Sequence, residues 1–425
     1  MKLALHLYTA LWRALLPLAF ARLWWRGRAE PLYRRDWAQR LGWYPAGMTQ
    51  TLADQARVIW VHAVSLGETR AAAPLIAALR QRCPDMRLLL THTTATGRAA
   101  GAELLQPGDV QVWLPYDLPG AMRRLLRRFR PRVAVLIETE VWPNLAEQCR
   151  RAGVPLLLAN ARLSARSARR WQRWPALARI AWGGLQAAAQ TAEDAQRIRA
   201  LGAAQVQVLG NLKFDMRPDA ELLARGAQWR AAAARPVLLL ASTRDSGGQS
   251  EEAMLLRALP ESLAARALLV WVPRHPQRFD AVAQLLAAHG MAVQRRSMGP
   301  PTAETAVWLG DSVGEMAAYY AMADAAFIGG SLLPLGGQNL IEACACGCPV
   351  VLGPSQFNFA AAAQAALASG AAVQAGDAAQ VWTALGRWLD DTPARALAAQ
   401  RAQEFAAAHQ GAAQRQAEWI AAAAC

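Results

Sequence analysis

The stretch that most constrains the fold covers residues 58–80 and reads VIWVHAVSLGETRAAAPLIAALR. Its first residues are apolar, β-branched or aromatic, which is typical of a buried strand. The pattern breaks at Ser65-Leu66-Gly67 and continues from Glu68 as an Ala- and Leu-rich helix. A strand that leads directly into a helix is the repeating unit of a parallel α/β sheet. We therefore expect Glu68 on the first helical turn, at the edge of the sheet where such folds bind ligands.

The carboxylate of Glu68 has two interpretations. An acidic side chain on a first helical turn stabilises the helix N-terminus by ~0.3–1 kcal/mol. A carboxylate at the mouth of a cleft is also a candidate general base. Position alone leaves both interpretations open.

The same alternation of strand and helix fills most of the chain. Apolar strand-like segments recur between residues 58 and 189 and again between residues 237 and 352, and a helical tail follows from about residue 375. At 425 residues the chain exceeds one ordinary core, so we predict two parallel α/β domains in series with a cleft between them. We assign residues 1–45 to a membrane-anchoring segment with a basic collar, 46–210 to the first domain, and 211–425 to the second domain with its tail.

The first 25 residues are strongly apolar and carry no cleavage site typical of a removable signal peptide. Lys2, His6, Thr9 and Arg13 recur at helical spacing on one face, and Pro17 is expected to interrupt the helix. A charge in mid-span costs ~2.5–3.5 kcal/mol, so a helix lying in the membrane interface is favoured over a span. An ordinary helix that covers a domain is the alternative. The tryptophans and arginines at residues 22–35 suit anionic lipid on the cytoplasmic side.

The net charge of +15 rests almost entirely on arginine and indicates a polyanionic partner: nucleic acid, an anionic lipid surface or a phosphorylated substrate. Aromatic residues are concentrated in the N-terminal segment and in apolar runs rather than interleaved with arginine, which argues against nucleic acid. The sequence has neither a P-loop motif nor, after the first strand, the dinucleotide-binding glycine pattern. His62, His92 and His275 are too scattered to predict a metal site.

The second half of the chain carries two glycine-rich turns that follow strands and open helices. One lies at Gly310–Glu315, and the other runs from Gly336-Gly337 to Glu342. Backbone N–H groups at such turns receive anions, although many glycine-rich turns only let the chain reverse direction. Together with Arg274, which follows another strand, the two turns predict a nucleotide site in the second domain.

Six segments, in unbroken order, resemble those of the bacterial Kdo transferases, the family 30 glycosyltransferases of lipopolysaccharide synthesis. They are VHAVSLGE (61–68), ETEVWPNL (138–145), GNLKFD (210–215), VPRHPQRF (272–279), GDSVGEM (310–316) and GGSLLPLGGQNLIE (329–342). The resemblance implies the glycosyltransferase B fold, in which two Rossmann-like domains with parallel sheets face a cleft. It also implies transfer of 3-deoxy-D-manno-octulosonic acid (Kdo) from its cytidine monophosphate ester, CMP-Kdo, to lipid A precursor (lipid IVA) at the cytoplasmic side of the inner membrane.

The resemblance also assigns roles to residues. Glu68 matches the general base that deprotonates the acceptor hydroxyl, which attacks the anomeric carbon with inversion as CMP leaves. Glu138 and Lys213 match residues that stabilise the transition state. The dipole of its helix favours the ionised form of Glu68 that a base needs. A phosphate held by an arginine and by helix N-termini needs no metal, so no cofactor is expected. The positions that match the CMP site are Pro273, Arg274, Val313, Gly314, Glu315, Asn339, Leu340, Ile341 and Glu342.

Some positions depart from the family pattern. The usual Ser-Thr-His-x-Gly-Glu-Glu reads Ser242-Thr243-Arg244-Asp245 here, followed by a Ser- and Gly-rich insertion before Glu251-Glu252, and Gln338 replaces a histidine. The alternative enzyme is another membrane-associated glycosyltransferase of the same fold, with a UDP-sugar donor and a polyprenyl-linked acceptor. Alternatives of other classes are a basic nucleic-acid-binding protein and a catalytically inactive membrane scaffold.

Overall fold

Alternating strands and helices build two parallel sheets, as the sequence pattern predicts. The computed structural model describes residues 2–49 and 57–424. The strands of the first sheet are β1 (Arg57–His62), β2 (Met86–His92), β3 (Val110–Trp113), β4 (Val133–Ile137), β5 (Leu156–Ala161), β6 (Gln186–Ala189) and β7 (Gln205–Val208). They lie in the order β3-β2-β1-β4-β5-β6-β7, and all pairings are parallel. The order reverses between β1 and β4, and in open α/β sheets such a switch point is where ligands bind.

Helices cover both faces of this sheet. They are α2 (Leu66–Arg82), α3 (Ala95–Ala102), α4 (Pro119–Phe129), α5 (Pro143–Ala152), α6 (Ala165–Gln172), α7 (Pro175–Trp182) and α8 (Ala192–Ala200), and the N-terminal helix α1 (Lys2–Arg26) contacts α5 and α7. Successive residues of β1 enter different cores: Trp60 belongs to one buried cluster with Met122, and Ile59 belongs to another with Leu75. A parallel strand between two helical layers is buried on both faces, which explains the continuous apolar run of β1.

The N-terminal helix α1 continues through Pro17, so the expected interruption there is wrong. A proline removes one backbone hydrogen bond, and the bonds on either side of it hold the helix together. Thr9 is buried, and its hydroxyl accepts a hydrogen bond from the Asn144 side chain at 3.1 Å, which fastens α1 to α5. The side chains that remain between 59% and 71% exposed include four leucines on α1, Leu3, Leu7, Leu11 and Leu18.

The second sheet is built from the later strands. These are β8 (Val237–Thr243), β11 (Leu268–Pro273), β12 (Val293–Arg295), β13 (Val307–Leu309), β14 (Ala325–Ile328), β15 (Val350–Leu352) and β16 (Ala372–Gln374), in the parallel order β12-β13-β11-β8-β14-β15-β16. The Ser- and Gly-rich insertion forms a separate antiparallel hairpin of β9 (Asp245–Ser246) and β10 (Gln249–Ser250). Gly247 and Gly248 both have positive φ angles, of 59° and 79°, as a tight hairpin turn requires.

The remaining helices follow these strands. They are α9 (Ala220–Ala233), α10 (Glu251–Arg257), α11 (Glu261–Arg266), α12 (Phe279–Ala288), α13 (Met316–Met322), α14 (Leu340–Ala345), α15 (Ala360–Ser369), α16 (Ala378–Asp390), α17 (Thr392–Ala408) and α18 (Ala412–Ala424). Short 3₁₀ turns lie at Pro31–Arg34, Trp37–Leu41, Ala46–Thr49, Leu212–Asp215, Pro276–Arg278 and Arg296–Met298. The helical tail predicted from about residue 375 is therefore confirmed as three helices.

The chain divides into two compact units, Met1–Met216 with Gln410–Cys425, and Arg217–His409. The structure thus assigns the end of the tail to the first unit, whereas the sequence-based boundary assigned it to the second domain. The physical reason is burial: Ala413, Ala417 and Ile420 of α18 enter the same apolar cluster as Leu75 and Leu79 of α2. The predicted boundary near residue 210 also moves to residue 216.

Each strand predicted from an apolar run is present, and the missed strands of the two sheets are edge strands. β7, β12 and β16 each lie at the end of a sheet. Most of their residues are at least partly exposed, so they lack the apolar run that marks a central strand. Two separate helices, α6 and α7, connect β5 to β6, because Pro175 begins a new helix.

Candidate functional site

Glu68 lies one turn beyond β1, where the strand order of the first sheet reverses. Ser65 caps α2, and its hydroxyl oxygen accepts a hydrogen bond from the Glu68 N–H at 3.4 Å. The Glu68 carboxylate turns back and accepts from the Val64 N–H at 2.7 Å and from the Ser65 hydroxyl at 3.2 Å. This reciprocal arrangement is close to a capping box, so Glu68 does stabilise its helix. The same contacts fix the orientation of the carboxylate, which a general base also requires.

The protonation of Glu68 differs from the expectation. Burial, and after it the neighbouring charge of Glu138, raise the pKa of Glu68 to about 8, although donation from the Val64 N–H acts in the opposite direction. The helix N-terminus and the hydrogen bonds favour the ionised form, as expected, but desolvation outweighs them, so the protonated form predominates near neutral pH. A carboxyl group with such a pKa holds a proton firmly and still has an ionised fraction at pH 7.

Glu138 follows β4, the strand next to β1 at the switch point. Its backbone is left-handed, with φ of 66°, and is held by two hydrogen bonds: the Glu138 N–H donates to Ala159 O at 3.0 Å, and Arg162 N–H donates to Glu138 O at 3.3 Å. The Lys213 Nζ lies 2.9 Å from Glu138 Oε1 in a mostly buried contact. The two groups are close enough for an ion pair, although their geometry does not meet the criteria for a hydrogen bond. The structure thus brings Glu138 and Lys213 together, as the predicted shared role requires.

The turn that carries Lys213 is fixed at both ends. The Asn211 side chain accepts from the Lys213 N–H at 3.0 Å and caps the Leu212–Asp215 turn. Asn160, at the end of β5, accepts from the Leu212 N–H at 3.0 Å. The Asp215 carboxylate accepts from the Ala413 N–H at 2.7 Å, at the start of α18. Lys213 therefore extends from an anchored backbone.

A cavity of about 520 Å³ lies between α1 and the loops at the carboxyl edge of the first sheet. Apolar and aromatic side chains, including Trp12 and Trp142, line most of it, and Arg22 and Arg40 supply positive charge. Glu140 also lines it, accepts from the Trp142 indole N–H at 3.0 Å, and has a pKa raised by burial. An amphiphilic ligand with a negatively charged part is the class of molecule that such a lining suits.

In the second unit, Pro273 ends β11, and Arg274 follows at the carboxyl edge of the sheet. The Arg274 N–H donates to Thr243 O at 3.0 Å, which fixes the backbone. The guanidinium Nε donates to the Gln338 side-chain oxygen at 3.2 Å on the exposed surface. Gln338 therefore supports the guanidinium of Arg274.

The turn that contains Val313, Gly314 and Glu315 follows β13, the strand next to β11. Val313 is 68% exposed, and Gly314 has a φ of 90° that favours glycine. The Glu315 carboxylate is already paired with the Arg225 guanidinium at 2.8 Å and with the Arg296 guanidinium at 3.0 Å. A ligand at this turn would therefore meet backbone groups and Val313 rather than a free carboxylate.

The segment from Asn339 to Glu342 follows β14 and begins α14. The Asn339 side chain caps this helix and accepts from the Ile341 N–H at 3.2 Å. Leu340 and Ile341 are buried, so only their backbone atoms are placed to meet a ligand. The side chains of Asn339 and Glu342 are partly exposed. The predicted donor residues thus lie in three loops at one edge of the second sheet.

Glu251 has a structural role that the sequence analysis did not predict. Its buried carboxylate accepts hydrogen bonds from four backbone N–H groups, at 2.6 to 2.9 Å. The donors are Arg244, Gly330, Ser331 and Leu332. Glu251 therefore holds the glycine-rich loop after β14 to the end of β8. The pair Glu251-Glu252 after the insertion is the sequence feature that marks this position. Residue type alone does not distinguish a carboxylate that binds backbone from one that binds a ligand.

Comparison with known proteins identifies the family. Residues 35–216 match the family model described as 3-deoxy-D-manno-octulosonic-acid transferase (kdotransferase). The 3-deoxy-D-manno-octulosonic acid transferase of Bordetella pertussis is 46% identical over 423 residues, which cover 96% of each chain. The chain belongs to the Kdo transferase family. The Haemophilus influenzae relative of the same name is 35% identical over 83% of this Kdo transferase and 82% of its own length.

Solved structures establish the fold of this chain as glycosyltransferase B. A glycosyltransferase from Rickettsia africae aligns with a TM-score of 0.60 over 87% of this chain and 98% of its own, at 12% identity. HepE from Anabaena in complex with UDP-glucose aligns with a TM-score of 0.58 over 86% of this chain and 99% of its own, at 15% identity. Together with the two seven-stranded parallel sheets, these alignments confirm the predicted fold.

The roles predicted for individual residues stay predictions. Glu68, Glu138 and Lys213 lie together at the switch point of the first sheet, and the nine donor-site positions lie at the carboxyl edge of the second. Within residues 2–49 and 57–424, no group of three or more His, Cys, Asp or Glu side chains is placed to hold a metal ion. His62 and His92 are buried in the first unit, where burial lowers the pKa of each ring, to about 3 and about 4 respectively.

Proposed function

We propose that the protein transfers Kdo from CMP-Kdo to lipid A precursor (lipid IVA) at the cytoplasmic face of the inner membrane, with Glu68 as the general base. The grouping at the switch point of the first sheet carries this conclusion: an oriented, partly buried carboxylate stands beside the Glu138–Lys213 ion pair. A base is most effective when its pKa lies near the working pH, because it then combines proton affinity with an ionised fraction.

In the proposed reaction, the acceptor hydroxyl gives its proton to Glu68 while its oxygen forms a bond to the anomeric carbon of Kdo. The bond between that carbon and the phosphate oxygen breaks, and CMP leaves from the opposite face with the electron pair, so the configuration inverts. Lys213 offsets negative charge in the transition state, and Glu138 holds its ammonium group at 2.9 Å. Neither the attack of the acceptor hydroxyl nor the departure of CMP requires a metal. We therefore expect turnover to be unchanged in the presence of a chelator.

The donor is proposed to bind at the carboxyl edge of the second sheet. Arg274 offers an exposed guanidinium next to Pro273, and charge-assisted hydrogen bonds to phosphate are among the stronger polar contacts. The backbone of Val313, Gly314 and Leu340 offers N–H groups at the two neighbouring loops, whereas the Ile341 N–H already donates to the Asn339 side chain. The side chains of Asn339 and Glu342 are the remaining polar candidates, whereas that of Glu315 serves its two arginines.

The acceptor is proposed to enter the cavity between α1 and the first sheet. The Val64 backbone, which lines this cavity, donates to the Glu68 carboxylate, so the cavity adjoins the proposed base. α1 is long and apolar enough to cross a membrane by length and composition. We propose instead that it lies in the interface, because Thr9 and Trp12 face the protein while four leucines point away from it. Anionic lipid then meets the arginines that follow α1.

The test supplies the purified protein with CMP-Kdo generated in place and lipid A precursor, and follows the product by mass spectrometry. Wild-type protein should add Kdo and release CMP. Glu68→Gln, which keeps the shape but cannot take the proton, should lower kcat by about 10²–10⁴-fold while CMP-Kdo still binds. Glu193→Gln is a matched control, since Glu193 also lies on a first helical turn after a strand of the first sheet.

Two outcomes would contradict the proposal. Near wild-type turnover by Glu68→Gln would exclude it as the base. Release of UDP from a UDP-sugar, without turnover of CMP-Kdo, would instead support the alternative glycosyltransferase with a polyprenyl-linked acceptor.

A further inference from the structure

Gln416 is a polar side chain in the middle of the apolar face of α18. It is fully buried, and its neighbours on that face, Ala413, Ala417 and Ile420, all belong to the apolar cluster beneath α2. Both ends of its amide are hydrogen-bonded to backbone: Oε1 accepts from the Asn160 N–H at 2.8 Å, and Nε2 donates to Gly210 O at 3.0 Å. A buried amide that makes both bonds holds two chain segments at a fixed separation.

The first of these segments carries Glu138. Asn160 is left-handed, with φ of 52°, at an irregularity in the pairing of β5 with β6. The residue before it, Ala159, accepts the hydrogen bond of the Glu138 N–H at 3.0 Å. The Gln416 contact to Asn160 therefore supports the stretch of β5 against which the backbone of Glu138 is aligned.

The second segment carries Lys213. Gly210 is left-handed, with φ of 90°, and begins the turn that leads through Leu212 to Lys213. The two segments are also joined directly, because the Asn160 side chain accepts from the Leu212 N–H at 3.0 Å. The start of α18 holds the far end of the same turn, through the Asp215 carboxylate and the Ala413 N–H at 2.7 Å.

We propose that Gln416 is a positioning residue for the Glu138–Lys213 pair. This inference rests on the proposed role of that pair in transfer. Gln416 lies far from both residues in sequence, yet it is hydrogen-bonded to the backbone on each side of their 2.9 Å contact. A lysine side chain is long and flexible, so the position of its ammonium group depends on how firmly its backbone is held. A displacement of about 1 Å in a catalytic group lowers turnover by up to about 10²-fold.

The test replaces Gln416 by methionine, which has nearly the same volume and no hydrogen-bonding amide. We expect kcat to fall about ten- to a hundred-fold, with KM for CMP-Kdo within about two-fold of wild type, because the proposed donor contacts belong to the other unit. Gln416→Glu keeps an oxygen for the Asn160 N–H, and burial keeps its carboxyl group protonated, so a single O–H replaces the amide N–H groups and its kcat should lie between those of wild type and Gln416→Met. This second variant is used for the whole comparison if the methionine variant does not fold.

Two control variants separate positioning from general stability. Ile420→Ala, on the same buried face of α18, should lower the melting temperature at least as much and leave kcat within about two-fold at temperatures where it is folded. Gln414→Ala changes the exposed face, where the side chain makes one contact with Gln81, and should change neither quantity. A fall in kcat for Ile420→Ala equal to that for Gln416→Met would overturn the proposal.

A double-mutant cycle with Lys213→Ala completes the test. If Gln416 acts through Lys213, adding Gln416→Met to Lys213→Ala should lower kcat by less than about three-fold more. A full additional loss would contradict positioning. If Lys213→Ala alone leaves kcat unchanged, the proposed role of Lys213 is wrong and this inference falls with it. If Lys213→Ala lowers kcat and Gln416→Met does not, only the positioning role of Gln416 is wrong.

Discussion

The raised pKa of Glu68 predicts how transfer depends on pH. With a pKa of about 8, about one carboxylate in eleven is ionised at pH 7, and half are ionised at pH 8. If the ionised form is the base, kcat should rise about five-fold between these two pH values and level off above pH 9. The direction follows from the chemistry, because a base must lose its own proton before it can accept one from the acceptor hydroxyl.

A variant of the neighbouring charge tests the cause of this shift. Glu138→Gln removes the second-largest influence that raises the pKa of Glu68 and frees the positive charge of Lys213 from its partner. Both effects favour the ionised carboxylate, so the acid limb of the pH profile should move to lower pH. The maximum kcat should also fall, because Lys213 loses its ion pair with Glu138.

The assay measures kcat at saturating acceptor and CMP-Kdo, generated in place, at half-unit steps from pH 6 to pH 9. Glu193→Gln should keep the wild-type profile, because Glu193 is exposed and distant in the fold from the switch point. A wild-type kcat that is flat across this range would refute the assignment of the limb to Glu68. A limb that moves to higher pH in Glu138→Gln would refute the electrostatic explanation.

Three other variants give independent predictions. Arg274→Ala should weaken CMP binding about ten- to a hundred-fold by calorimetry, whereas the exposed Arg257→Ala should not; equal affinities would remove Arg274 from the site. Leu7→Glu with Leu11→Glu should move the protein from the membrane to the soluble fraction, unlike Leu397→Glu, and continued membrane recovery would contradict an interfacial α1. Glu251→Ala should lower the free energy of unfolding by about 2–4 kcal/mol, because four backbone N–H groups lose their partner; an unchanged melting temperature would show that the loop does not depend on it.

The class of fold, the central strands and the position of Glu68 can be predicted from the amino-acid sequence. Central parallel strands such as β1 and β8 are buried on both faces, so they need continuous apolar runs that are visible without any structure. The strand, turn and helix around Ser65 follow from local chemistry, because the cap and the carboxylate are three residues apart. Edge strands such as β12 carry no such run, and they were missed.

Contacts between distant parts of the chain become visible once the chain is folded. No local pattern indicates that α18 returns to the first unit, that Gln416 bonds to Asn160 and Gly210, or that Glu251 serves the loop after β14. The pKa of Glu68 also depends on contacts between distant parts of the chain. Its position on a helix N-terminus favours an ionised carboxylate, but burial and the charge of Glu138, which comes from a different strand, reverse that preference. Local spacing is fixed by the covalent chain, whereas desolvation and long-range hydrogen bonds exist only once the chain has folded.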